Sequence, residues 1–322
     1  FSNGVNSSFQ ANSFVARNGF AEYYRAYPWN FAAYIQDKME YEGMIANIGL
    51  RAEAFNYQAQ TPVDPANYLY TGTDGPKKGN PETEKSKTQY ILLPRIGISF
   101  PIGENTAFRF QYGHFASMPI FSQALSIRTS RGWSGIGNPN LEPKKTINYE
   151  FGIQQVIGEN NRLDLSLYYN DRHDQVGIQK QRSYNGSQLV SDPSDSKIGE
   201  GNKTIYTYNS YLNNSFGSTI GFELVLESIR TTNWMYRLSY SISQTTTGKF
   251  GAEYMDLEGN FEYTSNPLYS EENLASWDRT HNIRGLVQYF VRKGEGFEIF
   301  GFRPFENSVF SLTYTAQSGI PY

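Results

Sequence analysis

The chain of 322 residues contains no cysteine. That excludes a disulfide framework and any metal site built on thiolates. It also lacks an apolar run of about 18 residues, so no segment can cross a bilayer as a helix. Charge of one sign is missing too. Lys and Arg number 28 against 31 Asp and Glu, a net −3, which offers nucleic acid no electrostatic footing. Hydrophobic residues are scarce at 39%, too few for the usual Val, Ile and Leu core of a soluble domain this long. The opening residues, Phe1-Ser2-Asn3-Gly4-Val5-Asn6, show no basic region followed by an apolar stretch and therefore no signal peptide. The last ones, Ser318-Gly319-Ile320-Pro321-Tyr322, are turn-like. Both ends lead us to expect a stretch of a longer chain, truncated on either side.

Aromatic residues, in contrast, are abundant. They make up 16% of the chain, with 25 Tyr and 22 Phe. A two-layer soluble protein rarely needs so much Tyr. A wall standing between lipid and water does, because Tyr and Trp suit its two interfaces while its inner surface is polar. The low mean hydropathy of −0.56 agrees with such a wall.

Period-two alternation is the main structural signal. Over 44–54, Met44, Ala46, Ile48, Leu50, Ala52 and Ala54 alternate with Ile45, Asn47, Gly49, Arg51 and Glu53. A tilted strand of about 9–11 residues spans a bilayer, and this run has that length. The pattern recurs at 106–115, 146–157, 162–171, 219–227 and 234–243, and in weaker form at 29–40, 88–100, 204–213, 280–291 and 307–316. We read 204–213 and 219–227 as one long strand with an irregular centre. Asp37 falls on the apolar phase of Phe31, Ala33, Ile35 and Met39. A position near the interface or a bulge would each account for it.

Connection lengths add a second signal. Tight links at Glu42-Gly43, Gly103-Glu104-Asn105, Gly158–Asn161 and Thr231-Thr232-Asn233 alternate strictly with long polar links near 58–87, 116–145, 174–203 and 244–279. A sandwich has no reason to gather its long loops at one end. An outer-membrane barrel has short periplasmic turns and long extracellular loops. The expected fold is therefore all-β: a transmembrane antiparallel up-and-down β-barrel wall of roughly ten strands.

Several motifs then point to a family. Gly137-Asn138-Pro139-Asn140-Leu141-Glu142-Pro143-Lys144, running on through Asn148-Tyr149-Glu150-Phe151-Gly152, resembles the segment that leads from an extracellular loop into a barrel strand of TonB-dependent receptors. Lys144 stands where that family usually has Glu. Ala33-Tyr34-Ile35-Gln36-Asp37, Gly49-Leu50-Arg51, Pro94-Arg95-Ile96-Gly97, Phe110-Gln111-Tyr112-Gly113, Gly221-Phe222-Glu223-Leu224 and Asp278-Arg279-Thr280-His281 also resemble family segments, in family order. The resemblance implies that residues 1–322 are a partial barrel domain, about ten strands of a barrel of about 22 with a plug in its lumen. On the same resemblance the plug, and the N-terminal segment that touches TonB, are expected outside this sequence. It further implies active transport of a scarce solute across the bacterial outer membrane, with outer-membrane lipid and the TonB complex as partners. The solute would be a metal chelate, an oligosaccharide or a peptide. A passive porin or surface-adhesion barrel, and a soluble β-sandwich binding module, remain the alternatives.

The Pro-rich 138–143 segment reads as loop-shaping more than ligand-binding. Asp171-Arg172-His173-Asp174 offers residue types of a catalytic site, but neighbours on a strand point to opposite faces. No catalytic residue is expected, no cofactor, and no enzyme activity. Asp192, Asp195, Asp256 and Glu258 do not have calcium-loop spacing, so no metal site is expected. Trp133, Tyr254, Tyr263, Tyr269 and Trp277 lie in the long links and are the candidate ligand-binding residues, with girdle or loop packing as the equal alternative. Arg51, Glu53, Arg95, Arg109, Glu150, Arg162, Asp164, Glu223 and Arg237 form the expected lumen set, facing the plug or pairing within the wall.

Overall fold

A computed structural model describes residues 26–62, 83–125, 137–182, 207–228, 233–249 and 272–321, with two short strand pairs at 184–185/188–189 and 254–255/261–262. Ten long strands dominate: β1 Trp29–Tyr41, β2 Met44–Asn56, β3 Gln89–Pro101, β4 Thr106–Ser117, β5 Lys144–Ile157, β6 Asn161–Arg182, β7 Thr207–Ser228, β8 Trp234–Lys249, β9 His281–Val291 and β10 Ser308–Gln317. Each pairs antiparallel with the next in sequence, an unbroken meander with β1 and β10 at its edges. A short strand, Asn273–Leu274, joins the sheet beside β8. One short helix, α1 (Phe121–Leu125), lies beyond the end of β4.

Residues opposite each other across a ladder share a face. Following the register strand by strand sorts the sheet. Arg51 pairs with Leu93, Arg95 with Gly113, Gly113 with Asn148, Asn148 with Asn170, Asn170 with Thr219, and Thr219 with Thr245. This is the polar face, and all nine charges of the expected lumen set lie on it. The other face carries Ile35, Leu50, Ile96, Tyr112, Tyr149, Tyr169 and Ile220. Its rings meet in rows: Phe100 and Phe108 at 4.9 Å, Phe108 and Phe151 at 4.2 Å, Trp234 and Tyr289 at 4.7 Å between centroids.

Local chemistry explains the turns. Glu42 and Gly43 both have positive φ, 45° and 85°, the two-residue hairpin whose twist matches its strands. The β1–β2 register runs from Trp29↔Asn56 to Tyr41↔Met44 without interruption. No bulge rescues Asp37, which sits on the apolar face opposite Ile48. Of the two accounts of that residue, the phase shift is excluded.

The structure departs from expectation at two strand ends and one connection. β6 runs on to Arg182, paired with the expected first half of β7, so residues 174–182 of the link expected at 174–203 are strand. The alternation was lost there because the ladder shifts register between Leu212 and Ser215 and again by Gly217, and Asp174 adopts φ 53°. The irregular centre expected of β7 is this double shift. β8 likewise extends to Lys249. Finally, the strict alternation of short and long links fails once. At the short-turn end, β9 and β10 are joined by the extended connection 292–307.

The face assignment gives a direct test. Leu50→Arg places a charge on the apolar face at the middle of β2 and should destabilise the full-length protein by about 2–4 kcal/mol in bilayers. Arg51→Leu, one residue away on the polar face, should cost much less. Urea titration in lipid vesicles measures both, and the opposite ranking would invert the faces.

Candidate functional site

The polar face is organised around Arg109 on β4. Its guanidinium donates to both carboxylate oxygens of Asp164, at 2.7 and 3.2 Å, and to the Ser166 hydroxyl at 2.7 Å. Glu150 lies 3.6 Å from its Nε. Asp164 and Ser166 are on β6, two strands away from β4, so the side chain must cross β5. It does so over Gly152, which faces Arg109 in the ladder. A Cβ at Gly152 would stand 2.5 Å from Arg109 Nε. Gly221 serves Tyr168 likewise: a Cβ there would meet the ring at 2.4 Å. Glycine is thus required on this face wherever a large polar side chain lies flat across the neighbouring strand.

The remaining wall charges are arranged similarly. Arg51 pairs with Glu53 along its own strand, and Glu227 is shared across strands by Arg162 and Arg237. Arg95 stacks 4.5 Å above the Phe115 ring. Within the lumen set only Glu223 has no such partner among the described residues. Cross-strand pairing within the wall therefore accounts for most of the set. A trough of about 800 Å³ opens on this face beside Arg51, Arg95, Arg109, Gln111 and Asn148.

At the long-loop end the links are fastened to the wall. Phe55, Tyr57, Ala124 and Leu125 form a small apolar core between the end of β2 and α1. Tyr57 is fully buried, and its hydroxyl donates to the Pro119 carbonyl at 2.6 Å. Burial raises its pKa to about 12. Asn56, Ser86 and Thr88 make a second, polar tie. Asn140 accepts from the Lys87 amide at 2.8 Å, and its carbonyl accepts from Gln89. Asn138 donates to the Tyr211 carbonyl at 3.2 Å, while Asn213 joins Glu142 to Asp174. Leu141 is fully buried between them. The 138–143 segment is thus a structural clasp that ties its own connection to the β2–β3 connection and to the β6–β7 ribbon, in keeping with its Pro-rich character.

Of the five candidate ligand-binding aromatics, Trp277 is described in full. It is 61% exposed, beside Asp278, which is buried and accepts from the Thr245 amide at 2.9 Å and from Thr280. The acid holds the loop and leaves the indole free to contact solvent. Tyr254 lies in the short strand pair with 261–262. Trp133, Tyr263 and Tyr269 lie outside the described residues, as do Asp192, Asp195, Asp256 and Glu258. His173 pairs with Asp171 at 2.9 Å, and Asp174 with Lys145 at 2.8 Å. Among the described residues, no three His, Asp or Glu side chains converge on a possible metal position. Sequence reasoning missed Glu272, which accepts from Ser218 and Thr246 and fastens the last long link. It sits in a polar stretch, with no periodicity to mark it.

A meander with one apolar and one paired-polar face, tight turns at one end and clasped loops at the other, is the wall of a membrane β-barrel. The chain matches the family model for TonB dependent receptor-like β-barrels over residues 1–319 and belongs to that family. It is an outer-membrane barrel protein, and its apolar face meets lipid. Comparison with curated proteins gave no match. Among solved structures it is similar to the FrpB iron transporter from Neisseria meningitidis, at 14% identity and TM-score 0.49, over 84% of this chain and 32% of that one. It is also similar to a double mutant of the Serratia marcescens hemophore receptor HasR in complex with HasA and heme. That match has 17% identity and TM-score 0.50, over 83% of this chain and 42% of the other. The chain thus spans about a third of the length of FrpB.

Two outcomes follow. Gly152→Val should displace Arg109 from Asp164 and destabilise the full-length protein by about 1–3 kcal/mol, the cost of unpaired charge-assisted hydrogen bonds. Gly97→Val, on the same face with nothing within 4 Å of its Cβ, is the control, and equal effects on vesicle unfolding would refute the crossing. Tyr57 supplies the second. Its raised pKa means that its contribution is complete below the free value of 10.0 and is lost as pH rises through about 12. Protease nicking of the 116–145 link should stay slow at pH 10 and accelerate toward pH 12. In Tyr57→Phe that acceleration should be weaker.

Proposed function

We propose that the intact protein is a TonB-dependent transporter that captures a scarce solute at its long loops and admits it through a plugged lumen. The observation that carries this reading is the family match over nearly the whole chain. The clasped loop platform supports it, because loops fixed by Tyr57, Asn138 and Asn140 give a preformed capture surface. Trp133, Tyr254, Tyr263, Tyr269 and Trp277 are the proposed contacts, where rings stack on a planar chelate or a sugar. No covalent chemistry is proposed for any residue. Metal chelates, oligosaccharides and peptides remain the ligand classes, and heme, which the HasR complex contains, is the first to test. The short-turn end faces the periplasm and the long-loop end faces outward.

Uptake by the full-length protein should saturate at low ligand concentration and vanish when TonB is removed, while binding persists. Trp277→Ala should weaken binding without changing the amount of folded protein in the membrane. Non-saturating flux that survives TonB removal would indicate a porin instead. Protease added to intact cells should cut near 58–87 and 244–279 and spare 158–161; the reverse pattern would overturn the sidedness.

A further inference from the structure

The connection between β9 and β10 breaks the rule that its end of the barrel has tight turns. Its tip is a small hairpin. Ile299 and Phe302 exchange backbone hydrogen bonds of 2.8 and 2.9 Å, with Phe300 and Gly301 at the turn. Both turn residues have positive φ, 50° and 78°. For Gly301 that is unstrained, but a bulky aromatic residue in the left-handed region is an outlier that folding alone does not favour. Phe300 is also fully exposed, at 105%. Both its backbone and its burial are worse than those of an Asn or Gly at the same place.

The hairpin is amphipathic. Ile299 and Phe302, opposite in the bridge, share one side with Phe297. Glu298 and Arg303 form an ion pair at 3.1 Å on the other. The apolar residues are exposed, Phe302 at 68% and Phe297 at 57%. Charges in the segment balance: Arg292, Lys293 and Arg303 against Glu295, Glu298 and Glu306.

Two contacts show on which side of the wall this loop lies. Phe305 meets Phe297 at 5.3 Å and Phe310 at 5.6 Å. Phe310 is opposite Tyr289, which packs against Trp234, and all three belong to the apolar face. Val291, the last residue of β9 on that face, is buried at 5%, and Gly296 lies close above it. The loop therefore folds outward, and its rings continue the aromatic row of the lipid-facing wall. A following strand would pair with the free edge of β10 in the plane of the sheet and would leave this outward surface uncovered.

We propose that residues 297–305 form an aromatic wedge that inserts into the interfacial layer of the membrane leaflet at the short-turn end, with Phe300 as its deepest residue. The occupant is phospholipid: the surface is apolar on one side, uncharged in sum and continuous with the lipid-facing wall, and Phe at such a boundary is stabilised by apolar burial. The Glu298–Arg303 pair remains toward water. The naming of that leaflet as periplasmic rests on the sidedness proposed above; the insertion itself does not.

The test uses the full-length protein in phospholipid nanodiscs, with spin labels at Phe300→Cys and, independently, Phe302→Cys. Gly103→Cys, in a tight turn at the same end with open space around it, is the aqueous reference. Insertion predicts that labels at 300 and 302 collide with oxygen and lose collisions with a water-soluble nickel chelate, while the label at 103 keeps them. Equal chelate access at all three sites would overturn the wedge. So would access in nanodiscs combined with protection in native outer-membrane vesicles, which would point to a protein partner. Labelling of Gly103→Cys by an impermeant thiol reagent on intact cells would refute the sidedness alone and leave the nanodisc result standing.

Discussion

Hydrocarbon offers no partner for a backbone N–H or C=O, so every strand in the membrane must find its hydrogen bonds in its neighbours. The rest of this structure depends on that constraint. It imposes the meander, because consecutive antiparallel strands joined by tight turns satisfy each ladder locally. It imposes the two faces, because a continuous ladder leaves only alternation to separate lipid from water. It also makes the edges of β1 and β10 the two places where the ladder remains open to a partner.

That same constraint made the wall legible in the sequence. Leu50 and Arg51 differ by one position and by their whole environment, so a period of two is hard to misread. All nine lumen charges were assignable for this reason. What could not be read was anything that broke the period. The ribbon beyond Asp174 was hidden by a double register shift, which moves side chains off the expected phase without changing residue types. Glu272 and Asn213 act through hydrogen bonds to residues far away in sequence, and no spacing announces them. The 138–143 clasp was legible because its prolines and asparagines have local conformational demands of their own.

The candidate site was less legible than the wall. Loop aromatics were chosen by residue type, and type alone does not distinguish a ring that packs from one that binds. Tyr57 illustrates the difficulty. It is as aromatic as Trp277 and close to a long link, yet it is fully buried and holds α1, whereas Trp277 is exposed. The distinction arises from contacts made across some 60 residues of sequence, which a local pattern does not contain.

The glycines of the polar face connect stability to the shape of the lumen wall. A wall lined with free charges would attract counter-ions and hold solutes by indiscriminate Coulomb forces. Drawing Arg109 flat over Gly152 into the Asp164 carboxylate neutralises the charge in place and keeps the side chain against the sheet. Charge-assisted pairs of this kind are specific in geometry and modest in net energy where water has access. Their larger effect here is on shape. Each flat side chain clears space in the lumen that an upright one would occupy, so the glycine at 152 is as much a determinant of lumen width as of strand pairing. Gly152 therefore meets a physical requirement: one strand must be bare so that its two neighbours can be tied across it.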